Sequence, residues 1–316
     1  MAGTHERKFF ENAITVSNLL GEEDTGLGIR LLKATALITA ICLLVSTLIV
    51  ASFFSAGSEN KALMQAARNI FTQNQDSSAK GLIKELKAVY PDSVGWLYVP
   101  NTEITTPVLQ GDNDKYYINH NIAGEKSRYC AVFLSRSDSL DEADNDKNLL
   151  IYGNNMTDGQ MFGTLKNYRN VNFYKANPGF YFYSPRGRDT YVVCAVMLLD
   201  VADNGGFDVS KSHFADSDEF NVWYREIHTR SIINTGQTAQ YFDSFITLIT
   251  PAPDFDGARL AVVAKRISNM DTGSINTSGA VANGKVKYPD KWYKSRGIEP
   301  QDKNRKEEQN ASEPQG

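Results

Sequence analysis

Asn148-Leu149-Leu150-Ile151-Tyr152-Gly153-Asn154-Asn155-Met156 is the stretch from which the fold is read. A short, mostly apolar run ends at a glycine and gives way to two amide side chains, as in a buried strand that delivers polar groups at its end. A second run of this kind, Phe242 to Thr250, ends at Pro251-Ala252-Pro253. The two prolines stiffen the loop that begins there and remove backbone donors from it. Arg259 then opens a further apolar run to Ile267.

Outward from these segments the same texture repeats. Trp96 to Val99, Thr105 to Leu109 and Tyr129 to Leu134 are β-rich runs between turn residues. Gly179 to Tyr183 and Thr190 to Leu199 flank Ser184-Pro185-Arg186-Gly187-Arg188-Asp189, which reads as a hairpin with a longer loop. Many short strands with long connections point to a mainly β barrel rather than alternating βαβ units. One connection is helical: Asp216-Ser217-Asp218-Glu219 is an N-terminal cap, and Phe220, Trp223, Tyr224 and Ile227 form an apolar stripe for packing onto the barrel.

Before the strands, Ser58 opens a helical stretch with Leu63, Ala66, Ala67 and Ile70 on one face. Ser77 or Ser78 caps a second helix carrying Leu82, Leu86 and Val89. Ala34 to Phe54 is uncharged and mainly apolar. As a helix it spans roughly 30 Å, a bilayer core, and it exceeds the roughly 7–15 apolar residues of a cleaved signal peptide. A retained anchor is expected. Arg30 and Lys33, with Arg7 and Lys8 further back, outweigh the more distant Lys61 and Arg68, which favours a cytoplasmic N-terminus and an extracellular C-terminal domain. The expected organisation is a cytoplasmic tail over 1–33, a transmembrane helix over 34–54, a helical lead-in over 55–90, a barrel domain over 91–267 and a polar, disordered tail over 268–316, interrupted by Tyr288-Pro289 and Trp292-Tyr293 as candidates for local docking.

The 316 residues carry a net charge of -4, which supplies no basic field for nucleic acid. None of the four histidines shows metal-ligand spacing, so neither a metal nor a cofactor is expected. The spacing of the three cysteines requires no Cys130–Cys194 disulfide, and two buried thiols are expected.

Over roughly residues 80 to 267 the chain resembles class B sortases, the cysteine transpeptidases that attach proteins to Gram-positive cell walls. Gly95-Trp96-Leu97-Tyr98-Val99-Pro100 resembles their G-W-hydrophobic opening strand. Thr106-Pro107-Val108-Leu109-Gln110, Asp112-Asn113 and Tyr116-Tyr117-Ile118 are similar to their P-V-x-Q, D-N and Y-Y-L run. Asp146-Lys147-Asn148 and Met161-Phe162-Gly163 also match. The resemblance implies a sortase-like closed β-barrel with N-terminal helices and a helix before the penultimate strand.

Tyr152 to Met156 is similar to the family's Y-G-H-N-M and Thr247 to Pro251 to its T-L-S-T-C, with a catalytic arginine to follow. Here Asn154 stands at the histidine position and Pro251 at the cysteine position, and only Arg259 is retained. In active sortases the cysteine attacks a sorting-motif carbonyl, the histidine moves protons and the arginine stabilises oxyanion charge. Proline has no nucleophilic heteroatom, and an amide does not exchange protons near neutral pH. Strand alternation turns Thr250 away from position 251, and Thr247, on the same face, is about 13 Å back along the strand.

The preferred expectation is therefore an inactive, membrane-anchored sortase-like protein. It would bind a sorting-motif peptide, a cell-wall precursor, or an active sortase or surface protein. Asn155, Met156, Thr250 and Arg259 are the groove candidates. An active transpeptidase with atypical residues and a structural subunit of a surface assembly are the competing expectations. No sorting signal is legible after Ile267, so a sortase substrate is not expected.

Overall fold

The computed structural model describes residues 25–74, 77–140, 147–202, 205, 207–267 and 270–299. The expected tail lies outside these residues up to position 24, as do Asp146 and everything after 299. The chain divides at Ser58 and Glu59 into two compact units.

In the first unit the described residues are helical, and belong to α1 (Thr25–Gln73), which is long and apolar enough to cross a membrane. Leu37, Leu43, Leu44 and Leu48 are exposed along it. Its hydroxyls turn inward: Thr39 donates to the Thr35 carbonyl and Ser46 to that of Cys42. Such back-bonding satisfies polar groups within the helix, as an apolar surrounding requires.

In the second unit the end of α1 packs Met64, Ala67 and Phe71 against Trp96, Leu109 and Phe133. Phe71 stacks on Trp96 with ring centroids 4.7 Å apart and 3° between planes. Next comes α2 (Ala79–Val89), capped by Ser78, whose hydroxyl accepts from the Gly81 N–H at 3.1 Å. Leu82 and Leu86 are buried as expected, but Val89 is exposed. The next residue, Tyr90, leaves helical geometry and is buried instead.

The barrel strands are β1 (Ser93–Tyr98), β2 (Thr105–Leu109), β3 (Phe133–Leu134), β4 (Asn148–Tyr152), β5 (Gly179–Ser184), β6 (Gly187–Asp200), β8 (Phe245–Pro251) and β9 (Ala258–Ile267). They close in the order β1-β2-β3-β4-β8-β9-β6-β5. The central neighbours β4 and β8 run parallel, from Asn148 opposite Phe245 to Tyr152 opposite Ile249. A parallel pair needs a long crossover. Here it contains α3 (Val171–Ala176), the β5–β6 hairpin, α4 (Ser217–Arg230) and the short β7 (Ile233–Asn234). The stripe on α4 packs as expected: Phe220, Trp223 and Ile227 are buried in one cluster with Phe245, Ile249, Leu199 and Ala261.

Other expectations differ too, and of the run Tyr129 to Leu134 only Phe133–Leu134 forms a strand. The β5–β6 connection is a tight turn rather than a longer loop, since Ser184 pairs directly with Gly187. Gly187 takes φ of 141°, which any side chain would resist, and this lets the strands close at once. The polar segment after Ile267, expected as a tail that docks only around Tyr288-Pro289 and Trp292-Tyr293, is structured over 270–299. Its β10 (Val281–Ala282) pairs with β7, and Tyr293 in α5 (Asp290–Lys294) is buried. The anchors here are polar, such as the Tyr181 hydroxyl donating to Asp271 and the Lys291–Asp200 pair, so low apolar content concealed them.

Phe71→Ala should lower stability by about 3–5 kcal/mol, through lost burial and a residual cavity. A urea midpoint followed by tryptophan fluorescence checks this. A loss under about 1 kcal/mol would mean that this part of α1 is not core.

Candidate functional site

The parallel pairing of β4 and β8 brings both polar-ended segments to one level. The Gly153 N–H donates to the Ile249 carbonyl at 3.1 Å, extending the ladder one step past Tyr152. Residues 153–163 then fold back on themselves. The Phe162 N–H donates to the Asn154 carbonyl at 2.9 Å, and Asn155 bridges to Met161. Gly163 sits so close that an added Cβ would lie 2.2 Å from the Met156 carbonyl oxygen, so this return requires glycine.

That fold-back directs the two amides to different partners. The Asn154 side-chain N–H donates to the Arg128 carbonyl at 3.0 Å and lies 3.0 Å from the Cys130 sulfur. The Asn155 amide donates to the Pro251 carbonyl at 3.0 Å, joining the end of β8 to the segment after β4. Pro251 is exposed and pairs in register with Arg259 on β9, which pairs on its other side with Leu199 on β6. Cross-strand partners share a face, so Arg259 stands beside Pro251. Its guanidinium donates to the Ala258 carbonyl at 3.0 Å, and among the described residues no carboxylate pairs with it. Asn154, Asn155, Pro251 and Arg259 thus follow one another along the ends of β4, β8 and β9, and Met156 is buried next in the chain.

Thr250, the remaining groove candidate, is only 1% exposed. Alternation turns it to the opposite face from Pro251, and its hydroxyl is buried without a partner, so it does not reach a ligand arriving from solvent. Thr247 is equally unavailable, because its hydroxyl is buried and donates to Asn148 Oδ1 at 2.8 Å. The described histidines lie elsewhere. His120 stacks on Tyr116, His213 meets the Ser212 hydroxyl and His228 stands edge-on to Tyr224. Burial pushes the His228 pKa down, favouring a neutral imidazole on α4.

Sequence reading missed the contact between Cys130 and Asn154, which strand alternation gives no means of finding. Cys130 is free, as is Cys194, and both are buried. The Cys130 backbone holds φ of 62°, a left-handed conformation that turns its thiol inward to donate to the Ile118 carbonyl. Burial pushes its pKa up to about 11, so the sulfur is a neutral thiol rather than a nucleophilic thiolate. A cleft of about 310 Å³ adjoins the fold-back, between Asp158, Gln160 and Met161 on one wall and Met64, Arg68 and Glu103 on the other. Burial tends to raise the Asp158 pKa, but hydrogen bonds from Tyr129 and Gln160 outweigh it and hold the carboxyl below its ordinary value. Among the described residues no His, Cys, Asp and Glu group is arranged to hold a metal.

No family model matches the chain. Curated relatives do. Sortase B of Listeria monocytogenes is 27% identical over 216 residues, covering 66% of this chain and 85% of the relative. Sortase B of Staphylococcus aureus is 24% identical over 207 residues, covering 65% and 82%. Among solved structures, Clostridium perfringens sortase B is 31% identical with a TM-score of 0.54, covering 58% of this chain and 99% of its own. A Staphylococcus aureus sortase B-substrate complex, 24% identical with a TM-score of 0.58, covers 66% and 95% and shares the fold.

Neither Cys130 nor Cys194 should react with iodoacetamide in the folded protein at pH 8, as read by peptide mass spectrometry. Their pKa values are raised by burial to about 11 and about 12. The unfolded thiols ionise first, so stability from this source is complete below roughly pH 8.5 and falls as pH rises towards the folded values. Rapid labelling of Cys130 at pH 8 would show instead an accessible thiolate beside Asn154.

Proposed function

The chain belongs to the class B sortase family, and from that membership we propose a membrane-anchored, extracytoplasmic binding protein that does not catalyse transpeptidation. One observation carries this reading. At the end of β8, where the family resemblance assigns the cysteine, the chain presents the exposed ring of Pro251, held through its carbonyl by Asn155 and facing Arg259. Proline offers no lone pair for acyl attack, and Asn154, at the histidine position, is hydrogen-bonded into the wall rather than poised to move a proton.

What remains is recognition chemistry. Arg259 is a half-exposed cation without a carboxylate partner among the described residues, suited to a peptide carbonyl or a carboxylate. Asn155, joined to Pro251, supplies an amide, and buried Met156 follows it in the chain. Sorting-motif peptides are the substrate class that the family resemblance implies, and the groove is read as keeping their binding without the acyl transfer. An active sortase or another cell-surface protein carrying such a segment is then the natural partner. The apolar part of α1 supports the anchor, and Arg30 and Lys33 before it support a cytoplasmic N-terminus.

Incubated with LPxTG-like or NPxTN-like peptides, the protein should give neither cleavage nor an acyl adduct by intact mass. Reversible binding should weaken roughly tenfold in Arg259→Ala, the scale of one charge-assisted hydrogen bond. Cleavage or a covalent adduct would overturn the proposal. Asn154→His combined with Pro251→Cys should form an adduct with a substrate analogue; its absence would show that the groove no longer admits the peptide.

A further inference from the structure

The loop after Pro251 is held from outside by a segment distant from the patch in sequence. The Ala252 N–H donates to the Ala258 carbonyl and the Ala258 N–H to that of Phe255, each at 3.0 Å, so residues 252–258 close a tight turn between β8 and β9. Within this turn the Asp254 side chain is only 9% exposed. It accepts two bonds from the Arg169 guanidinium, at 3.1 and 2.7 Å. Arg169 ends the 3-10 helix Leu165–Arg169, which follows the fold-back carrying Asn154 and Asn155. Asp254 therefore ties the wall after β8 to the wall after β4, a second tie beside the Asn155–Pro251 bond.

A third element reaches the same carboxylate. Arg296, just past α5, places a guanidinium nitrogen 3.6 Å from Asp254. Lys291 within α5 donates to Asp200 at 3.1 Å and lies 3.5 Å from the Asp256 carbonyl. Asp200 ends β6 and pairs with Ala258, so this contact also bears on the turn. The segment is braced for the task. Tyr288 stacks on Trp292 at 3.9 Å, the Arg296 guanidinium lies over Trp292 at 4.3 Å, and the Tyr293 hydroxyl donates to the Val286 carbonyl at 3.1 Å.

We propose that Asp254 is a positioning residue for the Pro251 wall, and that residues 288–296 are an ion-pair latch which holds the β8–β9 turn in one conformation. The strengths of the contacts suit a latch that opens. The Lys291 and Arg296 side chains are 42% and 36% exposed against carboxylates only 3% and 9% exposed, so solvent screens each pair from the cation's side. The Arg169 fork is better buried and bidentate, which makes it the standing tie. Opening at the C-terminal segment would loosen the turn while the Arg169 fork and the β6–β9 ladder stay in place, as local openings draw on the least stable contacts. The latch concerns the order of the turn and holds whether or not the patch takes a peptide.

Hydrogen exchange of the full-length protein in detergent tests this. In Lys291→Gln with Arg296→Gln, the hydrogen-bonded turn amides of Ala252 and Ala258 should exchange roughly three- to tenfold faster, while β6–β9 ladder amides from Leu260 onward keep their rates. Arg296→Lys, which retains the charge, should stay close to wild type. Near 1 M salt the wild-type turn should approach the double variant, whose own rate should respond little, because the screened pairs are already gone. Unchanged exchange in the turn of the double variant would overturn the latch, as would acceleration shared by the ladder. If that variant does not fold, the wild-type salt series decides. A salt response equal in turn and ladder would also overturn it.

Discussion

The parallel pairing of β4 with β8 is the constraint on which the rest of the structure depends. Residues nearly a hundred positions apart lie side by side from Asn148 opposite Phe245 to Tyr152 opposite Ile249. The pairing is sealed at depth by a polar contact. Buried Asn148 accepts from the Thr247 hydroxyl and donates to the Val209 carbonyl, so these two facing side chains satisfy each other at depth. Because parallel strands cannot be joined by a tight turn, the long crossover that carries α4 is a consequence of this pairing. That helix then covers the outer faces of β6, β8 and β9 with Phe220, Trp223 and Ile227.

The candidate patch is what emerges where the two strands end. Asn155 donates to the Pro251 carbonyl, and the fold-back that aims Asn155 also locks Asn154 against Arg128 and Cys130. At the positions assigned to the family's acid–base and nucleophile, the Asn154 side chain is hydrogen-bonded into the wall and the Pro251 backbone carbonyl is held by Asn155. Each has a defined structural partner, and Arg259 is the patch member with charge to offer a ligand. This is the arrangement expected when a scaffold keeps its geometry while the reacting groups change, since fold and chemistry are separable.

Much of the barrel was legible in the sequence. Thr105–Leu109 and Asn148–Tyr152 have the expected boundaries, because a buried strand needs apolar, β-prone residues and its ends need turn formers. Other features were not. The connection around Gly187 read as a loop because a positive φ leaves no trace beyond the glycine itself. The segment over 270–299 read as a tail because ion pairs, a hydrogen bond to Asp271 and a few aromatic rings secure it, and a polar composition does not distinguish docking from solvation. Thr250 joined the groove candidates by adjacency, yet alternation places it on the buried face.

By itself, the sequence determined the kinds of atoms available: no thiol at position 251, no imidazole at 154, a guanidinium at 259, and an uncharged, mainly apolar run before the domain. These are covalent facts and need no fold. Only the tertiary structure decided which of those atoms meet. The pairing of Asn155 with Pro251, the thiol of Cys130 beneath Asn154, and the convergence of Arg169 and Arg296 on Asp254 each join segments with no local relation in the chain. Hydrogen bonds and ion pairs act over a few ångströms in space, and sequence periodicity reports only the direction a side chain faces, not what stands opposite it.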